Sequence, residues 1–136
     1  MSTVDPVATE LLNLTQRLLD SIANADWATY EQLCDPSLTA FEPEALGHRV
    51  SGLAFHRFYF ELPGPKVLRH QTLNEPHVRV MGDVGIVTYV RLIQRAGIDG
   101  RAPVTSGYEE TRVWQCQNGA WRHVHFHRSP VGRSES

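Results

Sequence analysis

A chain of 136 residues, 41% hydrophobic and 21% charged, has the length and balance of one globular domain with a substantial core. Its formal charge of -2 with histidine neutral leaves no electrostatic footprint for nucleic acid or an anionic membrane, and no apolar run approaches the ~20 residues of a membrane span. The cysteines, Cys34 and Cys116, fit no metal or redox spacing and read as reduced thiols of a cytoplasmic protein; the N-terminus lacks the basic and apolar run of a secretory signal.

In chain order, Asp5-Pro6 reads as an N-cap followed by proline at the first helical position. Leu11, Leu14, Leu18 and Ile22 follow at spacings of three and four, and Leu12 and Leu19 widen the stripe. This predicts an amphipathic helix of roughly six turns, closed at Asn24 in a left-handed conformation. Asp26 caps a second short helix carrying Trp27, Tyr30 and Leu33, which Asp35-Pro36 breaks. Ser37 to Glu42 is expected as a short strand, Pro43 to Gly47 as a turn, and the aromatic run Leu53 to Phe60 as a short helix. Leu62 to Pro65 reads as a tight linker. Val67 to Leu73 and His77 to Met81 read as strands separated at Asn74-Glu75-Pro76. The clearest strand runs from Gly85 to Arg95, with Ile86, Thr88, Val90 and Leu92 on one face and Val87, Tyr89, Arg91 and Ile93 on the other. Helices first and strands after them indicate an α+β domain, a long N-terminal helix packed on a curved antiparallel sheet. The domain is expected to span residues 1–128, with 129–136 as a disordered tail.

The last strand pair carries the unusual charges. Tyr108 to Cys116 and Ala120 to Ser129 flank Asn118-Gly119, a strong hairpin signal because both residues tolerate positive φ. Strict alternation puts Arg112 in line with Glu110 and Trp114, and Arg128 in line with Phe126 and Val124. Trp121, His123, His125 and His127 then share the opposite face. Charges on an apolar strand face need partners. Arg91, Arg112 and Arg128 on neighbouring strands can converge in one mouth, where a planar carboxylate matches the guanidinium fork. The competing expectation is internal pairing with Glu110, Glu42 or Glu44, which would make the cluster structural.

Several blocks resemble a known family. Cys34 through Phe41-Glu42-Pro43-Glu44-Ala45-Leu46-Gly47, then Phe55-His56-Arg57-Phe58-Tyr59-Phe60, Met81-Gly82-Asp83, Glu109 to Trp114 and Val124 to Ser129 closely resemble the association (hub) domain of calcium/calmodulin-dependent protein kinase II. The resemblance runs from about Leu11 to Ser129. It implies the cone-like α+β fold shared with nuclear transport factor two, scytalone dehydratase and ketosteroid isomerase, and self-assembly into closed, two-layered rings of identical subunits. No kinase or calmodulin-binding segment precedes the first helix, so a free-standing hub homologue is expected. The loop Glu61 to Lys66 is shorter than in the family's animal members and lacks their tryptophan. By resemblance, Arg91, Arg112, Arg128 and His56 line a pocket for a small carboxylate or an acidic peptide; Tyr59 and Glu110 complete the candidate set.

Rival chemistries have weaker support. Alternate histidines can bind metal, but side chains on one straight strand face are spaced ~6–7 Å apart, too far for one tetrahedral ion; an assembly surface sensitive to acid is the better reading. Related cone folds use a general base beside an acidic tyrosine, for which Asp35, His56, Tyr59, Tyr89 and Tyr108 are the available groups. That leaves a dimeric isomerase or dehydratase as the alternative to a non-enzymatic hub. No nucleophile elbow, phosphate loop or metal triad is present in the sequence, and no cofactor is expected. Phe55, Phe58, Tyr59 and Phe60 give the third helix more apolar faces than one core can cover, which favours an oligomer.

Overall fold

The computed structural model describes residues 5–63 and 69–132. Helix α1 (Pro6–Ala23) begins where the sequence directs: Asp5 accepts from the Val7 N–H at 2.9 Å and Pro6 holds the first helical position. Its buried stripe is Leu11, Thr15, Leu18 and Leu19, with Leu12, Leu14 and Ile22 only half-buried beside it. Thr15 holds the centre because its hydroxyl donates to the Leu11 carbonyl at 2.8 Å and accepts from the Trp114 indole N–H at 3.2 Å. Satisfying both polar groups lets them sit in the core. The left-handed residue that closes α1 is Ala25 (φ 52°); Asn24 has φ -97° and donates its N–H to Asp20. Helix α2 (Trp27–Leu33) is capped by Asp26, which accepts from the Thr29 N–H at 3.2 Å, and it ends before Asp35-Pro36 as expected.

Six strands form one sheet in the order β2-β1-β6-β5-β4-β3: β1 (Cys34–Phe41), β2 (Val50–Ser51), β3 (Arg69–Met81), β4 (Val84–Arg95), β5 (Val104–Gln117) and β6 (Ala120–Pro130). All neighbouring pairs are antiparallel except β1 with β6, which are parallel. A 3-10 turn (Pro43–Ala45) and helix α3 (Ala54–Phe60) connect the first strands to the rest. Helix α1 lies against β3 and β4 on one face of the sheet. The core there gathers Leu11, Leu18, Leu19, Leu38, Val87, Trp114 and Phe126.

Several boundaries differ from the sequence reading for local reasons. β1 starts at Cys34 because its pairing with β6 shifts register between Cys34 and Thr39, which absorbs Pro36. The two strand segments around Asn74-Glu75-Pro76 are one strand, β3, with a bulge at which Glu75 takes φ 51°. Positions 67 and 68 of the first segment lie outside the described residues, as do 64 and 65 of the linker. β6 continues through Ser129 and Pro130, and the Val131 N–H donates to the Gly107 carbonyl at 2.9 Å, so ordered structure passes the expected end at 128; positions 133–136 lie outside the described residues.

The most consequential difference lies in β6. The hairpin turn is as expected, with Asn118 and Gly119 at φ 53° and 84°. But the register shifts between Val113 and Trp114, which pair with His125 and His123, leaving Val124 as an extra residue. A bulge resets the alternation. His123 therefore turns inward, fully buried between Trp114 and Phe126, with ring centroids at 5.2 and 5.7 Å. Trp121 packs against the core with it. Arg122, His125 and His127 take the other face, where the Thr39 hydroxyl meets His125 Nδ1 at 2.8 Å and Phe41 lies against both histidine rings. The expected ladder of three histidines does not share a face. Among the described residues, no group of three His, Cys, Asp or Glu side chains is placed to hold a metal ion.

Candidate functional site

The inward faces of β4 and β5 put Arg91 and Arg112 at 5% and 1% exposure. A buried cation needs a partner, and Glu110 supplies it. Arg112 Nη2 donates to Glu110 Oε1 at 3.0 Å, and Arg112 Nε donates to the Tyr89 hydroxyl at 2.7 Å. That hydroxyl donates in turn to Glu110 Oε1 at 2.6 Å. Tyr89 and Glu110 are direct cross-strand partners, so the register itself builds the triangle. Arg91 Nε lies 2.9 Å from Glu110 Oε2, a charge contact without hydrogen-bond alignment, and Arg91 Nη1 donates to Gln71 Oε1 at 3.2 Å.

The electrostatics follow from burial against these pairings. Burial alone would raise the Glu110 carboxyl; Arg112, Arg91 and the Tyr89 hydrogen bond outweigh it and hold the group below its ordinary range. Burial lowers Arg112, but the facing Tyr89 and Glu110 more than reverse this and keep it protonated. Arg91 is lowered by burial, with Glu110 opposing. Tyr89 is pushed up by burial and stays neutral as a donor. Behind Arg112, the buried His123 has Nε2 3.5 Å from Arg112 Nη1 and Nδ1 3.5 Å from Cys34 Sγ. A guanidinium only donates, so Nε2 accepts and Nδ1 carries the hydrogen towards sulfur. Burial pushes the Cys34 thiol up to about 12, which keeps that sulfur neutral.

A cavity of about 230 Å³ opens in front of this network. Ile22, Tyr30, Phe60 and Phe126 form its apolar wall; His56, Tyr59, Arg91, Arg112 and Arg128 line it with Glu42 and Glu44. Arg128 on β6 pairs with Glu44 on the 3-10 turn, and its guanidinium sits 4.6 Å from the Tyr108 ring centroid. His56 Nε2 lies 2.9 Å from Glu42 Oε1. Arg112 lies 4.5 Å over the Phe126 ring.

Five of the six site residues expected from the sequence thus meet at one cavity. Glu110 does not line it: it stands behind Arg91 and Arg112, because Tyr89 and both arginines converge on its carboxylate. Internal pairing, the competing expectation, is also realised: Glu110 serves Arg91 and Arg112, Glu44 serves Arg128, and Glu42 takes His56. The apolar wall of Ile22, Tyr30, Phe60 and Phe126 is not legible from the sequence as part of the site. Tyr30 stood out only as part of a small apolar patch, and nothing local shows that α2 folds over the arginines. Of the groups considered for acid–base chemistry, only His56 and Tyr59 reach the cavity. Asp35 accepts from the Ser37 N–H, the Ser37 hydroxyl and Gln117 at 2.8, 2.6 and 2.8 Å and anchors β1. Those Ser37 bonds hold its carboxyl below the ordinary range.

Comparison with known proteins decides the family. The calcium/calmodulin-dependent protein kinase II association domain family matches residues 7–132. The chain belongs to this family. The association-domain match is supported by the delta subunit of the type II kinase from Oryctolagus cuniculus, 46% identical over 123 residues, 88% of this chain. The chain spans 23% of that relative's length. Among solved structures, the hub homology domain of Chlamydomonas reinhardtii superposes with a TM-score of 0.86 at 48% identity, covering 93% of this chain and 99% of that one. The C. elegans association domain gives 0.84 at 43%, covering 89% and 93%. A nuclear transport factor 2-like protein from Salmonella enterica, 23% identical with a TM-score of 0.74 over 95% and 94% of the two chains, shows the shared cone-like fold alone. The matched region is the association domain of a kinase and not its catalytic part. No helix among the described residues of this association domain is long and apolar enough to cross a membrane.

Proposed function

We propose that the chain is an assembly hub whose copies associate into a closed, two-layered ring, and that the arginine-lined cavity binds a small carboxylate or an acidic peptide. Membership of an association-domain family carries the first part. The surface agrees with it: Phe58, Tyr59 and Leu62 are 60%, 45% and 54% exposed on and after α3, more apolar surface than an isolated helix turn ordinarily leaves in water. The second sheet face carries Thr39, Phe41, Val90, Val113, His125 and His127, none of them fully buried and Phe41 40% exposed. Pairs joined through one such surface and closed laterally by another give a ring. Multi-angle light scattering at micromolar concentration is expected to return a mass several times that of a dimer; a value near twice 15.4 kDa would overturn the ring.

The pocket reading rests on three guanidinium groups facing an apolar wall, a combination that suits an anion with an apolar body. A short monocarboxylate is expected to raise the melting temperature of the wild type and to lose that effect in Arg128→Ala. A panel of carboxylates and acidic peptides with no effect on the wild type would make the cluster purely structural.

A further inference from the structure

The three glutamates around the cavity are held with very different firmness. Glu110 has no side-chain exposure, accepts from Tyr89 and Arg112 and faces Arg91. Glu42 has 5% side-chain exposure and is engaged by His56. Glu44 has 38% side-chain exposure, and its ion pair is with Arg128, at 12%. Glu44 also sits on a three-residue turn whose backbone bonds are local, Ala45 N–H to Glu42 and Leu46 N–H to Pro43. Its carboxylate can swing into water by side-chain rotation with those bonds intact.

Arg128 does not depend on Glu44 for its position. Its guanidinium rests on the Tyr108 ring, and its strand is paired to β5 through Glu110↔Arg128. If Glu44 swings away, a pre-oriented cationic fork is left at the cavity mouth. Exchanging one carboxylate for another on the same guanidinium conserves the charge-assisted contact. A ligand with an apolar body gains, in addition, the wall of Tyr30, Phe60 and Phe126.

We infer that Glu44 is a displaceable internal counter-ion that competes with an incoming carboxylate for Arg128 and so sets the affinity of the cavity. This rests on the carboxylate-pocket reading above and adds its regulation: any change that draws Glu44 from Arg128, such as a partner's cation docking on the Pro43–Ala45 turn, opens the site.

Calorimetric titration of butyrate into the full chain tests it. Glu44→Gln keeps the side-chain shape and removes the charge; it is expected to bind butyrate about fivefold more tightly than the wild type, the scale of one partly exposed ion pair. Glu44→Ala is run beside it as a second variant that empties the seat, and is expected to move the same way. Butyrate binding equally to wild type and both variants overturns the competition and leaves the pocket reading standing. Weaker binding to the variants also overturns it, since Glu44 would then belong to the binding surface. Butyrate binding to none of the three removes the pocket reading and this inference with it.

Discussion

Glu110→Gln is expected to lower folding stability by about 3–5 kcal/mol, the cost of removing one partner from a buried ion-pair network. The substitution preserves volume, so the loss is electrostatic: Arg91 and Arg112, at 5% and 1% exposure, would each remain charged without the carboxylate they share. One carboxylate oxygen would become an amide NH2, which cannot accept, so either Oε1, shared by Tyr89 and Arg112, or Oε2, facing Arg91, would be replaced by a donor. Measured as a shift in urea midpoint at one fixed protein concentration, this is a large part of the ~5–15 kcal/mol that stabilises an ordinary domain. The Arg128–Glu44 pair has the same chemistry at the rim, where exposed pairs contribute ~0.2–1 kcal/mol, so Glu44→Gln is expected to leave the midpoint nearly unchanged. Equal effects of the two substitutions would mean that Glu110 is not the structural anchor of Arg91 and Arg112.

Acid sensitivity is expected to begin at His123. Its pKa is lowered well below 6.5, first by burial and then by Arg112, His56 and His125. The groups around it come from every neighbouring element: Cys34 on β1, His56 on α3, Arg112 on β5 and His125 on its own strand. A base whose folded pKa is depressed is neutral in the fold and takes up its proton only on unfolding. Its contribution is therefore fully present above about 6.5 and is lost as pH falls from there towards the folded value. The slope approaches ~1.4 kcal/mol per pH unit. His125 is lowered in the same direction by burial and His127, and adds to this limb. Glu110 acts in a separate window: its depressed carboxyl stabilises the fold above about 4.3, the unfolded value, and that contribution disappears only as pH falls below it. His123→Gln is expected to flatten the stability profile between pH 6.5 and 5, compared by urea unfolding across that range. A variant with the wild-type slope would move the titration to another group.

Much of this was legible in the sequence, and what was not has identifiable causes. The alternation in β4 placed Val87, Tyr89, Arg91 and Ile93 on the buried face because nothing interrupts that strand's pairing with β5. The helix starts at Asp5 and Asp26 were legible because a cap is a local hydrogen bond. Strict alternation failed in β6: the extra residue there is visible only against the partner strand, so His123 and Trp121 were assigned to the wrong face. Thr15 carries no local signal of burial, because its place in the core depends on a tryptophan 99 positions away. The arginine site was legible as a set of types but not as a structure. Which glutamate each cation takes is decided by cross-strand register and by the turn at Pro43–Ala45, and neither is encoded locally.

The bulge at Val124 makes the two halves of β6 address different compartments. Upstream of it, Trp121 and His123 serve the core; downstream, Phe126 and Arg128 serve the cavity, while His125 and His127 face away. The strand works as a phase shifter, and a single residue sets the phase. Deleting Val124 would remove the bulge and leave both halves of the strand on the faces they already hold, whereas fitting Val124 into a regular ladder with His123 inside would rotate Phe126 and Arg128 out of the cavity. A homologue with all the matching side chains but an unbulged ladder through this residue would lack the wall on which they meet.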